Sequence, residues 1–241
     1  MEFIPARDAA VALAGLALSA GVRKMLPYLL MVLALALLAL FGGGGGIKQS
    51  SGQIYETESA YNYIQVAQQN GYTILRLNEG QGIHSIYKPD TLQYNGPWDQ
   101  FLVGPYFYPN RKPSDIKRIA IVGLAAGTAA RQMTAVYGNV PIDGFELDPK
   151  IVEVGKKYFD MNMPNLNVHI GDGRLGLEQS PYKYDIIAVD AYRPPYIPAH
   201  MTTQEFFEIE VSVCQKKGRI AASWPRSTSR TAAPSGNALF L

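Results

Sequence analysis

Tyr184-Asp-Ile-Ile-Ala-Val-Asp190 is a largely apolar run that ends in a single acid, and a Pro-rich segment separates it from a predicted helix over Thr203–Cys214. A short apolar run with such boundaries predicts a buried strand of a parallel sheet. In open α/β sheets, ligands bind in the crevice outside the carboxyl ends of the strands. Asp190 is therefore the first candidate for a functional side chain.

The residues upstream of this strand alternate between strand and helix patterns. Alternation at this spacing predicts a parallel, doubly wound α/β sheet with right-handed crossovers. We predict about five strands over residues 111–224, and a sheet cut short at its C-terminal end because the polar tail 225–241 is predicted to be disordered. Besides Tyr184–Val189, the predicted strands are Arg118–Leu124, Ile142–Leu147, Leu166–Ile170 and Gly218–Trp224.

Residues 47–110 show a different pattern, which is typical of a small β-rich domain. Tyr61–Val66 and Tyr72–Leu77 are rich in β-branched and aromatic residues, and Asn70-Gly71 between them is a strong hairpin signal. We therefore predict a small antiparallel sheet before the α/β domain. The predicted organisation is a membrane segment with a glycine spacer over 1–46, then the domains 47–110 and 111–224, and the tail 225–241.

An uncharged apolar run covers Met25–Phe41 near the N-terminus, and its 17 residues lie at the lower limit for crossing a bilayer. Arg23 and Lys24 precede it, as in a signal anchor, so we predict a transmembrane helix and a protein anchored in the cell membrane. A buried core helix is the alternative. The basic pair favours an external domain, whereas a hairpin with the apolar stretch Ala9–Val22 would return it to the cytoplasm, so the membrane side stays open.

Composition excludes several classes of function. The net charge is +2 and the basic residues are scattered, which argues against nucleic acid as a partner. Cys214 is the single cysteine, so neither an internal disulfide nor a cysteine-based zinc site is expected. The three histidines have no metal-binding spacing, and no metal is expected.

Two features at the first predicted strand–helix junctions favour a nucleoside ligand. Gly123 and Gly127 in the turn after the first strand would let the backbone approach a ligand at a helix N-terminus, although a tight turn alone would explain them. Glu146 ends the second strand, where an acid commonly binds ribose hydroxyls. Its alternative roles are a solvated acid or a cap for the following helix.

Asp172 ends the third strand, where it would accept a hydrogen bond from an adenine amino group or simply shape a turn. Together with Gly123, Glu146 and Asp190, it marks four neighbouring strand ends. That arrangement suits a nucleoside lying across the sheet edge, and adenosine fits better than a dinucleotide because there is no pyrophosphate loop.

With these residues the chain resembles the polyamine aminopropyltransferases (spermidine synthases), in particular the bacterial membrane-linked spermidine synthase-like proteins. The resemblance implies a small β-domain before a methyltransferase-like Rossmann domain. It also implies transfer of an aminopropyl group from decarboxylated S-adenosylmethionine to putrescine or a related amine, and a homodimer. The resemblance covers about Ser59 to Phe207 and rests on Ser59–Val66, Gly123–Thr128, Glu146, Asp172-Gly173 and Asp190.

The resemblance assigns roles residue by residue. Asp190 resembles the catalytic acid, which would deprotonate the amine before it attacks the carbon next to a sulfonium. Glu146 resembles the ribose acid and Asp172 the adenine contact. The implied cofactor-binding residues are Asn62, Gly123, Gly127, Glu146, Asp172 and Gly173, and the implied substrate-binding residues are Trp98, Asp99 and Tyr192.

Two residues depart from the family pattern. Ala126 stands where the family has an Asp that holds the amine of the donor. Arg193 replaces a second acid and would repel a dicationic substrate. These departures leave two alternatives open: a methyltransferase that uses ordinary S-adenosylmethionine, and a non-catalytic nucleoside-binding membrane protein.

Overall fold

The chain divides into two compact units, Met1–Gln49 and Ser50–Leu241. Its structure is a computed structural model. It describes residues 15, 22–41, 50–78, 82–107, 110–191, 198–224 and 237–240.

Helix α1 spans Val22–Phe41 in the first unit and contains Arg23, Lys24 and Pro27. Among the described residues, no helix is long and apolar enough to cross a membrane. The predicted transmembrane helix and the membrane-anchored localisation are therefore wrong. The physical reason is length: the uncharged run of 17 residues rises only about 25 Å, against a hydrocarbon core of about 30 Å. The stretch Ala9–Val22 lies almost entirely outside the described residues.

The second unit begins with a four-stranded antiparallel sheet in the order β1-β2-β3-β4. Asn70 and Gly71 both have positive φ, 53° and 80°, as the turn of a tight two-residue hairpin requires. The predicted small antiparallel sheet is thus confirmed. Its strands are β1 Gln53–Glu58, β2 Tyr63–Gln69, β3 Tyr72–Leu77 and β4 Ser85–Tyr87.

A six-stranded sheet follows, and five of its strands are parallel, as predicted. The central strands β5 and β8 are largely apolar and buried because helices cover both faces of a parallel sheet. The strands are β5 Ile119–Val122, β6 Ile142–Glu146, β7 Leu166–Ile170, β8 Tyr184–Val189, β9 Cys214–Trp224 and β10 Asn237–Phe240. The helices are α2 Pro97–Phe101, α3 Thr128–Tyr137, α4 Pro149–Tyr158, α5 Gly173–Glu178 and α6 Gln204–Val213.

Strand β10 corrects the prediction for the tail. Asn237–Phe240 pairs antiparallel with β9, so the sheet has six described strands instead of about five. The end of the tail is apolar, and the edge of β9 offers the unpaired N–H and C=O groups that attract a further strand. The rest of the tail, 225–236 and 241, lies outside the described residues. The predicted domain boundaries stay a prediction.

Candidate active site

The strand order β10-β9-β8-β5-β6-β7 changes direction at β5. The chain runs from β5 outward to β6 and β7, and then returns to β8 on the other side of β5. A crevice opens at the carboxyl ends of strands at such a point. The structure brings the predicted acids to this edge: Glu146 ends β6, Asp172 follows β7 and Asp190 follows β8.

The turn after β5 contains two glycines at which neighbouring atoms come very close to the backbone. Gly123 has φ +87°, and a Cβ there would lie 2.5 Å from the backbone oxygen of Asp190. Gly127 begins α3 with φ +85°, and a Cβ there would lie 2.6 Å from Cγ of Met161. Only glycine lets the ends of β5 and β8 meet in this way.

Glu146 stabilises that turn through two hydrogen bonds. Its Oε2 accepts the Ala125 N–H at 2.8 Å, and its Oε1 accepts the Asp148 N–H at 3.1 Å. Burial raises the pKa of the Glu146 carboxyl, and the two backbone hydrogen bonds oppose that shift. Its predicted contact with ribose stays a prediction.

The same turn is bonded to the small sheet. Ser85 Oγ accepts the Ala126 N–H at 2.9 Å. Thr128 Oγ1 donates to the carbonyl of Ile86 and accepts the Ile86 N–H, both at 2.9 Å. Strand β4 and Glu146 therefore hold successive backbone N–H groups of the same strand–helix turn.

Ala126 itself is buried, 1% exposed, among apolar side chains. Its neighbours in that cluster include Ile64, Ile151 and Phe159. The position at which the resemblance implies an acid is thus part of the packing between the small sheet and α4.

Asn62 lies in a polar network centred on Asp148. Its Nδ2 donates to Asp148 Oδ2 at 2.9 Å, and its Oδ1 accepts from Asn78 at 3.0 Å. Asp148 is fully buried, also accepts the Ser59 hydroxyl, and caps α4 by accepting the Lys150 N–H at 2.9 Å. Sequence reasoning considered Glu146, not Asp148, as a possible cap for this helix. It also missed the contact of Asp148 with the small sheet, because the partners are 86 to 89 positions apart.

Asp172 caps α5, since its Oδ1 accepts the Leu175 N–H at 3.1 Å. Its Oδ2 lies 2.9 Å from Nε2 of His200. Gly173 beside it is buried, and a Cβ there would lie 2.6 Å from Cγ1 of Val122. The glycine therefore allows α5 to pack closely on β5.

Trp98 contacts the predicted catalytic acid. Its Nε1 donates to Asp190 Oδ2 at 3.1 Å, and its ring is 6% exposed. The Asp190 N–H donates to the Val122 carbonyl at 2.7 Å, which holds the acid at the end of β5.

The structure gives Asp99 a different environment from Trp98. Its carboxylate accepts the N–H groups of Tyr94 and Asn95 at 3.2 and 2.6 Å, and the amide of Gln132 also donates to it. It ties the loop before α2 to α3. The other predicted substrate residue, Tyr192, lies outside the described residues, as does Arg193.

Two exposed apolar side chains were missed by sequence reasoning. Leu147 directly follows Glu146 and is 46% exposed, and Leu175 in the first turn of α5 is 50% exposed. Because Glu146 pairs with Ile170 in the parallel register, Leu147 lies beside the end of β7. An apolar residue immediately after a strand-end acid was the signal available in the sequence.

Comparisons with known proteins show what this chain is similar to. The family model of the spermine/spermidine synthase domain matches residues 108–224. A probable polyamine aminopropyl transferase of Bifidobacterium longum is 37% identical over 153 residues, which cover 64% of this chain and 33% of that protein. A polyamine aminopropyltransferase of Vibrio vulnificus is 29% identical over 204 residues, which cover 80% of this chain and 66% of that protein.

The fold is shared with solved structures. A probable spermidine synthase from Corynebacterium glutamicum aligns with a TM-score of 0.61 at 20% identity, covering 74% of this chain and 65% of that one. The spermidine synthase from Thermotoga maritima aligns with a TM-score of 0.58 at 19% identity, covering 77% and 62%. The chain spans 33% and 66% of the two curated relatives above. Residues 108–224 thus match the spermine/spermidine synthase domain, and the relatives and the shared fold support placing the chain with the spermidine synthases (polyamine aminopropyltransferases).

Proposed function

We propose that this chain transfers an aminopropyl group from decarboxylated S-adenosylmethionine to putrescine or a related amine. The observation that carries the proposal is the place of Asp190, whose carboxylate is held by Trp98 at the point where the strand order reverses. The match to the spermine/spermidine synthase domain supports the reaction class. No metal is part of the proposal.

The donor's nucleoside would lie across the ends of β5, β6 and β7. Glu146 is the acid for the ribose hydroxyls and Asp172 the acceptor for the adenine amino group. The exposed side chain of Leu147 offers an apolar surface for the purine between them. Gly123, Gly127 and Gly173 keep the backbone close enough for that placement, whereas Asn62 would act indirectly, through Asp148.

The chemistry requires a base. The acceptor nitrogen attacks the methylene carbon next to the donor's sulfonium; a C–N bond forms as the C–S bond breaks. The electron pair of the broken bond stays on sulfur, which leaves as the neutral thioether of methylthioadenosine. The proton released by the nitrogen passes to Asp190, and a positioned carboxylate of this kind serves as a general base.

The acceptor pocket would lie beside Asp190. Trp98 would form an apolar wall beside Asp190, and Tyr192 a second contact. Asp99 would contribute to the acceptor pocket only indirectly, by holding the loop before α2, because its carboxylate already accepts backbone N–H groups. A homodimer stays a prediction from the resemblance.

A second candidate, methyl transfer from ordinary S-adenosylmethionine, is favoured by one observation. Ala126 puts a buried methyl group where the family acid would hold the donor's amine. Selection for the decarboxylated donor is weakened when that carboxylate is missing.

Mass spectrometry of products distinguishes the candidates. The full chain is incubated with putrescine and either donor, and the proposal predicts spermidine and methylthioadenosine in equal amounts from the decarboxylated donor. Asp190→Asn should abolish both, whereas Asp160→Asn, at an acid with a 62% exposed side chain, should not. S-adenosylhomocysteine formed from the ordinary donor would favour methyl transfer. If a folded sample forms no product, aminopropyl transfer is wrong, and donor binding without turnover would indicate a non-catalytic protein.

A further inference from the structure

His200 contacts the candidate purine acceptor directly. Its Nε2 lies 2.9 Å from Asp172 Oδ2, and because an ionised carboxylate oxygen can only accept, the ring nitrogen is the donor. The other oxygen, Oδ1, accepts the Leu175 N–H at 3.1 Å. The carboxylate is thus held at both oxygens in one orientation. Each carboxylate oxygen has a second acceptor position, so Asp172 retains capacity for a ligand.

The position of His200 is fixed in turn by α5. Arg174 Nη1 donates to the carbonyl of His200 at 2.6 Å and lies 3.3 Å from Oγ1 of Thr203, the residue that caps α6. Asp172, the N-cap of α5, and Arg174 in its first turn therefore hold the same short segment. The side chains of His200 and Asp172 are 48% and 37% exposed, so the pair is accessible from solvent.

Neither the packing of the core nor the capping of α5 requires this histidine. Asp172 already caps the helix through Oδ1, and half of the imidazole lies in solvent. The contact instead orders an ionised acceptor at a strand end where a nucleoside is expected. Ordering an exposed carboxylate has a direct consequence for which purines it accepts.

We propose that His200 is a positioning residue that sets the purine selectivity of the donor site by fixing the Asp172 carboxylate. The inference rests on the proposed function. A purine with a 6-amino group donates an N–H to the fixed carboxylate, whereas a 6-oxo purine places a carbonyl oxygen against it. When two acceptors face each other, neither has a hydrogen-bond partner. A carboxylate held in one orientation cannot turn away to avoid this loss. The ligand class is therefore an adenine nucleoside and not a hypoxanthine nucleoside.

Calorimetric titration of the full chain with methylthioadenosine and methylthioinosine tests this role. The ratio of their dissociation constants is the readout, because a merely structural role would weaken both nucleosides equally. His200→Ala and His200→Leu lack a donor and should reduce the preference for the 6-amino nucleoside by about three- to tenfold, the range of one exposed charge-assisted hydrogen bond. His200→Gln should retain it, since its amide can donate to Asp172.

Thr202→Ala is the matched control, because it removes a hydrogen bond to the Ala199 carbonyl within the same turn without touching α5. It should leave the ratio unchanged. An unchanged ratio in both His200→Ala and His200→Leu would overturn the inference and leave the proposed function standing. If the wild-type chain bound neither nucleoside, the proposed function and this inference would both be wrong.

Discussion

Trp98 donates its indole N–H to Asp190 across 3.1 Å, joining α2 to the end of β8. The indole is packed in the core beside Gly96, where a Cβ would lie 2.8 Å from the ring. The donor is therefore rigid, and it fixes one oxygen of the proposed base.

The first prediction concerns that donor. Trp98→Phe keeps an apolar ring but removes the N–H, and a hydrogen bond to a charged group contributes about 1.5–3 kcal/mol. If most of this free energy serves to orient Asp190, kcat for aminopropyl transfer should fall about tenfold or more. Steady-state kinetics check this, and thermal melting identifies any general loss of packing. A Trp98→Phe enzyme with unchanged kcat would show that Asp190 does not depend on the indole.

Gly123 provides a second prediction, with Gly138 as its control. Both have positive φ, +87° and +79°, but a Cβ at Gly123 would collide with the backbone of Asp190, whereas one at Gly138 would meet nothing within 4 Å. Gly138→Ala should cost only the backbone strain, about 1–2 kcal/mol. Gly123→Ala should cost clearly more and also abolish nucleoside binding. Urea unfolding compares the two, and equal losses would contradict the close approach of β5 and β8.

Asp148 supports a prediction about stability. It is fully buried and accepts hydrogen bonds from Lys150, Asn62 and Ser59, so Asp148→Ala leaves several donors without an acceptor. We expect a loss of about 2–4 kcal/mol in the free energy of unfolding. Asp90→Ala, at an exposed acid in a turn, is the control and should cost less than about 1 kcal/mol. Similar losses in both variants would argue against the Asp148 network.

Glu210 in α6 supports a prediction about pH. It is 1% exposed, neither carboxyl oxygen has a hydrogen-bond partner among the described residues, and burial raises its pKa to about 8. Because the pKa is raised in the folded protein, the stability contributed by this group is complete at pH values below its ordinary pKa of 4.5. That stability is lost as the pH rises towards 8. Glu210→Gln cannot ionise, so its stability relative to the wild type should rise by about 3 kcal/mol between pH 5 and pH 8.

Urea unfolding at the two pH values measures that difference. Glu208→Gln, at an exposed acid of the same helix, is the control and should show no such trend. A constant difference between Glu210→Gln and the wild type would indicate that Glu210 is ionised across this range.

The parallel strands could be predicted because each is a short segment rich in apolar residues and separated from the next by a helix pattern or turn residues. Leu166–Ile170 and Tyr184–Val189 were predicted at their observed bounds. Helix α5 was not predicted, since its six residues include two glycines and carry too short a pattern. Strand β10 was missed because its pairing with β9 depends on a distant edge and not on local composition.

The candidate site could likewise be predicted only in part. The strand-end acids Glu146, Asp172 and Asp190 could be placed from sequence because strand ends share an edge. The partners of those acids could not. Asp190 meets Trp98 across 92 positions and Asp172 meets His200 across 28, and contacts of that range follow from the packed fold.

The bonds from Ser85 and Ile86 to the first strand–helix turn limit how this protein can be recombined with its relatives. The small sheet looks like a module that could be exchanged to alter the acceptor. Yet β4 forms hydrogen bonds with Ala126 in the turn after β5 and with Thr128 at the start of α3. A chimera that replaces β4 alone would leave that turn without these partners, so an exchange must carry β4 and the turn together.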